Sequence, residues 1–194
     1  MVVGKTTIIK LINGLLKPNS GEVLVNGNEP SLESKRVISY LPENNSLDLS
    51  MKVKEIIELF SDFYKDFDEG KAKKLFNDFK IDINSRLKNM SKGTKEKVQL
   101  VLAISRKADI YILDEPISGV DPATRDSILD TILSNFNENA TLLISTHLIS
   151  DVERILDEVI FVNDGKILLH EDADKLRKEK NKSIDQIFRE VFKC

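Results

Sequence analysis

The sequence predicts an α/β protein built on a mainly parallel sheet with a helical lobe inserted between core strands. Three observations lead there. Short apolar runs of strand length, residues 37–41, 110–113 and 141–145, alternate with stretches of helical periodicity. That alternation is the signature of strands joined by helical crossovers. Between the first run and the second lies a long stretch, residues 49–105, with helical spacing throughout.

Taken in order, Ile8, Leu11, Ile12, Leu15 and Leu16 fall at helical spacing behind Gly4-Lys5, and Pro18-Asn19-Ser20-Gly21 ends that helix. Val23-Leu24-Val25 reads as a strand closed by Asn26-Gly27, a favoured turn pair. Residues 37–41 make the next strand, stopped by Pro42. In the lobe, Val53, Ile56, Ile57, Phe60 and Tyr64 mark one amphipathic helix, and Ala72, Leu75, Phe76 and Phe79 another. Ser91 is a good N-cap for a third, with Val98, Val101, Leu102 and Ser105 following. Then come the strand 110–113, a helix from Pro122, which suits a first turn, the strand 141–145 and a helix over 148–156. Residues 159–162 and 166–169 flank Asn163-Asp164-Gly165, a hairpin signal. The charged stretch 171–182 reads as a solvated helix face or linker. Ile184, Ile187, Phe188, Val191 and Phe192 make a last amphipathic helix. The expected organisation is one domain over 1–194, a helical subdomain at about 44–105 within it, and a helical tail over 173–194.

Composition narrows the function classes. With 194 residues and 41% hydrophobic content, the chain can bury a real core. A net charge of −3 gives no overall basic field, so nucleic acid is not an expected partner. The sole cysteine is Cys194, which excludes an intrachain disulfide and reads as a free terminal thiol. No signal-peptide pattern and no membrane-spanning apolar run stands out, so a membrane role would need a separate partner.

The chemistry-bearing residues sit at strand exits and helix starts. Asp114 and Glu115 leave the strand 110–113 together, at the end of a parallel sheet where ligands bind. There one carboxylate can hold a magnesium ion and the next can orient an attacking water. Gly4-Lys5-Thr6-Thr7 opens a helix. Backbone N–H groups there wrap phosphates, Lys5 reaches the outer phosphates and the Thr6 hydroxyl suits magnesium. The first glycine of the full G-x-x-x-x-G-K-[ST] pattern would fall one residue before Met1, so the chain is expected to begin inside its own phosphate loop. His147 follows an apolar strand and can meet a γ-phosphate or orient water. Ser91-Lys92-Gly93 starts a helix and offers a further anion site. His170 ends a hairpin strand and is assigned no role.

Together these residues resemble the ATP-binding subunit of ABC transporters, an exporter-like branch, along essentially the whole chain. The resemblance implies a RecA-like P-loop NTPase fold. Gly4, Lys5, Thr6 and Thr7 match the end of its Walker A loop, Glu43 the Q-loop position, and Met90-Ser91-Lys92-Gly93-Thr94 the signature motif. Asp114 and Glu115 match the Walker B aspartate and catalytic glutamate, Ser118-Gly119-Val120-Asp121 the D-loop, and His147 the switch histidine. It implies ATP and Mg²⁺ as cofactors, with Thr6, Glu43 and Asp114 toward the metal and Ser91, Gly93 and Asp121 toward nucleotide. Its implied partners are a transmembrane subunit and a second ATP-binding subunit, homo- or heterodimeric, at the inner face of the cell membrane.

The sequence departs from that pattern at Lys92 and Thr94 in the signature, at Glu43 where glutamine is usual, and at Val2 where glycine is usual. Relative to the family, the first core strand, part of the antiparallel sheet and an adenine-stacking aromatic are expected to be missing, and nucleotide binding to be weak. The competing readings are a catalytically impaired or regulatory remnant and a soluble ATPase of DNA repair or translation. The latter predicts coiled-coil insertions or tandem domains, which the sequence does not show.

Overall fold

The structure is a computed structural model and describes residues 4–44, 46–137 and 139–192. Val2 and Cys194, singled out above, lie outside the described residues. Three strands, β1 (Ile38–Leu41), β2 (Ile110–Asp114) and β3 (Thr141–Ser145), form a parallel sheet in the order β1-β2-β3. The central strand β2 is buried along Tyr111, Ile112, Leu113 and Asp114, as the middle of a covered parallel sheet must be. Leu41 pairs with Leu113, Leu113 with Ile144, and Asp114 with Ser145. All three strands therefore end at one rim, and Glu43, Asp114, Glu115, Thr146 and His147 gather there.

One sheet face is covered by α1 (Lys5–Ile12), through Ile9 packed with Val25, Ile38 and Ile112. The helix is shorter than its apolar spacing suggests. Gly14, at φ 64°, donates to Leu11 O and Leu15 N donates to Lys10 O, which is a Schellman stop. Leu15 and Leu16 are thereby left exposed. The strand expected at Val23-Leu24-Val25 is absent. The Asn26-Gly27 turn forms, with φ 51° and 77°, but only the bridge Val25–Asn28 spans it, because Leu24 has no ladder to join and stands exposed. A short α2 (Leu32–Val37), capped by Ser31, leads directly into β1.

The other face carries the helical lobe: α3 (Val53–Phe63), α4 (Glu69–Asp78) and α5 (Lys92–Ile104). The lobe is not entirely helical. A 3₁₀ turn at Leu87–Asn89 and the bridges Lys52–Arg86 and Phe67–Arg106 join its helices, since the connecting backbone still needs partners. Residues 98–104 of α5 are buried without a break, because the helix is wedged between the lobe and the sheet. Arg106 pins that junction: it donates to Ile38 O (2.6 Å) and Arg36 O (2.7 Å), pairs with Asp66, and stacks 4.0 Å over the Tyr64 ring. Lys71 of α4 reaches the last carbonyls of α5 and of α6 (Pro122–Asn135), at Ile104 and Asn135.

After β3, the helix expected over 148–156 is broken into α7 (Ile149–Val152) and a 3₁₀ turn, Glu153–Ile155. Its apolar residues serve two clusters, Val152 and Ile155 the main core and Ile149 the hairpin, whereas one regular helix presents a single stripe. The hairpin is β4 (Glu158–Asn163) and β5 (Lys166–Asp172), closed by Asp164-Gly165 at φ 47° and 74°. The charged stretch resolves into the end of β5 and α8 (Ala173–Lys180), with Asp172 as N-cap and Leu176 buried. Finally α9 (Ile184–Phe192) lays Ile184 and Ile187 under the hairpin and sets the Phe188 and Phe192 rings edge-on to Phe161.

Candidate functional site

At the strand rim the side chain of Glu115 is the centre of a polar group. Its backbone N–H donates to Ser145 O at 2.8 Å, prolonging the β2–β3 ladder by one bond. Its φ of 54° is left-handed, a conformation costing an L-residue about 1–2 kcal/mol. Strain of this kind gathers at functional sites. The carboxylate is only 10% exposed, and both oxygens are engaged. Oε1 accepts from Lys5 Nζ at 3.1 Å; Oε2 lies 2.9 Å from His147 Nδ1 and 3.4 Å from the Thr146 hydroxyl. The same hydroxyl accepts from Leu148 N at 2.9 Å, which locks the turn that presents His147. Lys5 and His147, far apart in sequence, thus share one carboxylate.

Lys5 is the first residue of α1. No side chain caps that helix and no acidic residue lies in its first turn, so its leading N–H groups face outward as an anion site. Gly4 precedes it at φ 125°, and a Cβ there would stand 3.2 Å from Gly165 N and 3.3 Å from Val162 Cγ1. Glycine is required at this point on both counts. Thr6 is partly buried and Thr7 is exposed.

Asp114, 2% exposed, keeps Oδ2 buried with no protein partner, as does Ser145 with its hydroxyl. An orphaned buried carboxylate oxygen costs free energy unless a ligand meets it. Asp114, Thr6 and Glu43 line one cavity of about 600 Å³, shared with Gln99 and Tyr40. Burial, helped by Asp114 and Glu43, pushes the Tyr40 phenol above its ordinary pKa, so it stays a neutral donor. Hydroxyl and carboxylate oxygens suit magnesium. Among the described residues no three His, Cys, Asp or Glu side chains form a metal cage of their own. A magnesium ion here therefore fits when phosphate oxygens complete its shell, which is how this hard cation is usually held.

Ser91, Gly93 and Asp121 form a second patch, joined to the Lys5–Glu115–His147 group by no hydrogen bond or ion pair among the described residues. Ser91 caps α5, accepting from Thr94 N at 3.2 Å. Gly93 faces Gly119, its Cβ position 3.5 Å from Gly119 O. Asp121 stands at the N-cap position of α6 without a side-chain cap bond, and the Thr124 hydroxyl at 2.7 Å holds its exposed carboxyl below the usual carboxylate range. Beneath this patch the Glu96 carboxylate fills the space where a side chain on Gly119 would begin. Burial pushes its pKa up, against the pull of Lys92. His170 pairs with Glu158 at 2.7 Å on the exposed hairpin and takes no part in either group.

Sequence reasoning missed Thr146, Gln99, Tyr40 and Glu96. Only Thr146 carried a local signal, a hydroxyl beside His147 at a strand exit. Gln99 and Tyr40 lie within apolar runs and Glu96 within a charged one, and only packing shows which way they face.

Comparison with known proteins bears on this arrangement. The family model for ABC transporters matches residues 3–118. The chain is 30% identical over 179 residues to the ABC transporter ATP-binding protein YtrB of Bacillus subtilis (strain 168), covering 91% of this chain and 61% of YtrB. It is 29% identical over 203 residues to the ABC-type transporter ATP-binding protein EcsA of the same organism, covering 98% of this chain and 81% of EcsA. A solved structure of an ATP-binding subunit of an ABC transporter superposes with a TM-score of 0.85 at 27% identity, over 97% of this chain and 83% of that one. The chain thus spans less than two-thirds of YtrB's length.

Proposed function

The chain belongs to the ABC transporter family and shares the fold of its ATP-binding subunits; from that premise we propose that it binds and hydrolyses ATP to energise a transporter, an exporter. The observation that carries this reading is the Glu115 carboxylate, nearly buried, held between the Lys5 ammonium and the His147 imidazole beside an Asp114 oxygen with no protein partner.

The roles follow from charge and position. The first-turn N–H groups of Gly4, Lys5, Thr6 and Thr7 bind the phosphates, and the Lys5 ammonium moves from Glu115 to the outer ones. Thr6, Glu43 and Asp114 hold magnesium, which supplies charge neutralisation at the phosphate oxygens. Glu115, released by Lys5, accepts a proton from the attacking water and orients it. His147 remains beside Glu115 and donates toward the γ-phosphate, where charge changes during transfer. Ser91, Gly93 and Asp121 face the nucleotide of a second ATP-binding subunit, closing a sandwich. Residues 1–194 act as one ATP-binding domain, with 44–105 its helical subdomain and 173–194 its helical tail. Among the described residues no helix is long and apolar enough to cross a membrane. The reading pairs this domain with a transmembrane subunit. The reading sets the chain at the inner face of the membrane.

Thermal shift and phosphate release test it together. Millimolar MgATP should raise Tm, since a ligand at about a hundred times its Kd adds about 2.7 kcal/mol. ATP in EDTA should raise it less, and Asp114→Asn should erase the difference. A Tm indifferent to MgATP, with no phosphate released, would sink the proposal.

A further inference from the structure

Arg125 ties together two functional segments that belong to different elements. It lies in the first turn of α6, four residues after Asp121, and its side chain is 22% exposed. Its Nε donates to Val120 O at 3.2 Å, in the loop 118–121. Its Nη1 donates to Asp151 Oδ2 at 2.7 Å, on α7, four residues after His147. One planar guanidinium therefore holds the patch of Asp121 to the segment of His147. Four residues of helix are too few to hold α7 in place by their own hydrogen bonds. Its orientation comes from outside, and among its polar ties Arg125–Asp151 is the least exposed. The neighbouring pairs of Arg154 with Asp126 (3.2 Å) and Asp130 (3.1 Å) stand open to water, where such pairs contribute little.

We infer that Arg125 is a positioning residue: a strut that fixes the surface offered to a second subunit relative to the imidazole beside Glu115. The inference rests on the ATP-hydrolysis reading for its consequence, and on geometry alone for the strut. The fork matters. A guanidinium meets two acceptors in set directions, whereas a lysine ammonium is a single point of charge. Closure of a second subunit on the 118–121 loop is then transmitted toward His147 by Arg125, alongside the backbone bond from Ser118 N to Glu115 O at 3.3 Å.

Hydrogen exchange on the whole chain separates the strut from an ordinary ion pair. Arg125→Ala should speed exchange about tenfold in both 118–121 and 148–155, the scale of losing a charged hydrogen bond. Asp151→Ala should loosen 148–155 and leave 118–121 protected. Arg154→Ala should change neither. Arg125→Lys, the gentler variant, should loosen at least one of the two segments. In single-turnover assays Arg125→Ala should slow phosphate release about tenfold or more with the MgATP Kd changed less than about twofold, because small misplacements of a reacting group are costly. Exchange confined to one segment in Arg125→Ala, or matched by Arg154→Ala, overturns the strut. So does an unchanged single-turnover rate in a chain whose parent hydrolyses ATP. If the parent shows no turnover and the exchange pattern holds, the hydrolysis reading fails and the strut stands.

Discussion

Replacing Glu115 by Gln tests the site where its two demands on Lys5 conflict. The ammonium sits 3.1 Å from Glu115 Oε1, and the two side chains are only 24% and 10% exposed. To meet a phosphate, Lys5 must first give up that pair. A carboxylate and an amide both accept a charge-assisted bond from the ammonium, worth about 1.5–3 kcal/mol, the carboxylate toward the upper end and the amide toward the lower. Glutamine preserves shape and the left-handed backbone, so the difference, about 1 to 1.5 kcal/mol, returns to nucleotide binding. ATP affinity should rise about five- to tenfold. Turnover should move the opposite way. The amide cannot accept a proton from water, and losing a positioned base costs about a hundredfold or more. Fluorescent-ATP titration in magnesium gives the first number and single-turnover phosphate release the second. The variant should also accumulate ATP-bound dimers in light scattering. Weaker ATP binding would refute the competition for Lys5; undiminished turnover would refute the role of Glu115.

His147→Ala should slow the single-turnover step far more than it weakens ATP binding, and at 62% exposure it should shift stability by less than about 0.5 kcal/mol; collapse of affinity with the rate intact would make His147 a mere anchor for the turn. Ser91→Ala and Gly93→Asp should weaken ATP-driven dimerisation and spare monomer binding. The Gly93 change meets Gly119 O only at ordinary contact distance, so its effect comes from charge near phosphate, and unaltered light scattering would count against the sandwich. Glu96→Gln should raise Tm near neutral pH. Burial lifts the folded pKa of Glu96 above the ordinary 4.5, so wild-type stability from this group is full below that value and is lost as pH rises through the folded pKa. The variant's advantage should therefore vanish in a melting series carried below about pH 4.5; a constant gap across the series would mean that Glu96 is not the titrating group.

Strand-length apolar runs and helical spacing are local, and they are why β1, β2, β3 and the lobe helices could be read directly. Ser91 at a helix start and Asp164-Gly165 in a hairpin were legible for the same reason: caps and turns are decided within a few residues. The sequence also named the residues with chemistry, because Lys5, Asp114, Glu115 and His147 each end a strand or open a helix. What it could not carry was register across the chain. Parallel pairing of Asp114 with Ser145 sets Thr146 and His147 beside Glu115, and that pairing depends on which buried faces meet. The same holds where local expectation failed. Leu24 could not hold a strand without a partner, and residues 148–156 could not stay one helix while serving two cores. Arg125 and Glu96, among polar neighbours, and Tyr40, among apolar ones, have no local signature at all, since each gains its meaning from what packs against it. Local propensity, then, determined the elements and the reactive residue types. Only tertiary packing, which pays for ordering partners far apart in sequence, decided that Lys5 and His147 share one carboxylate.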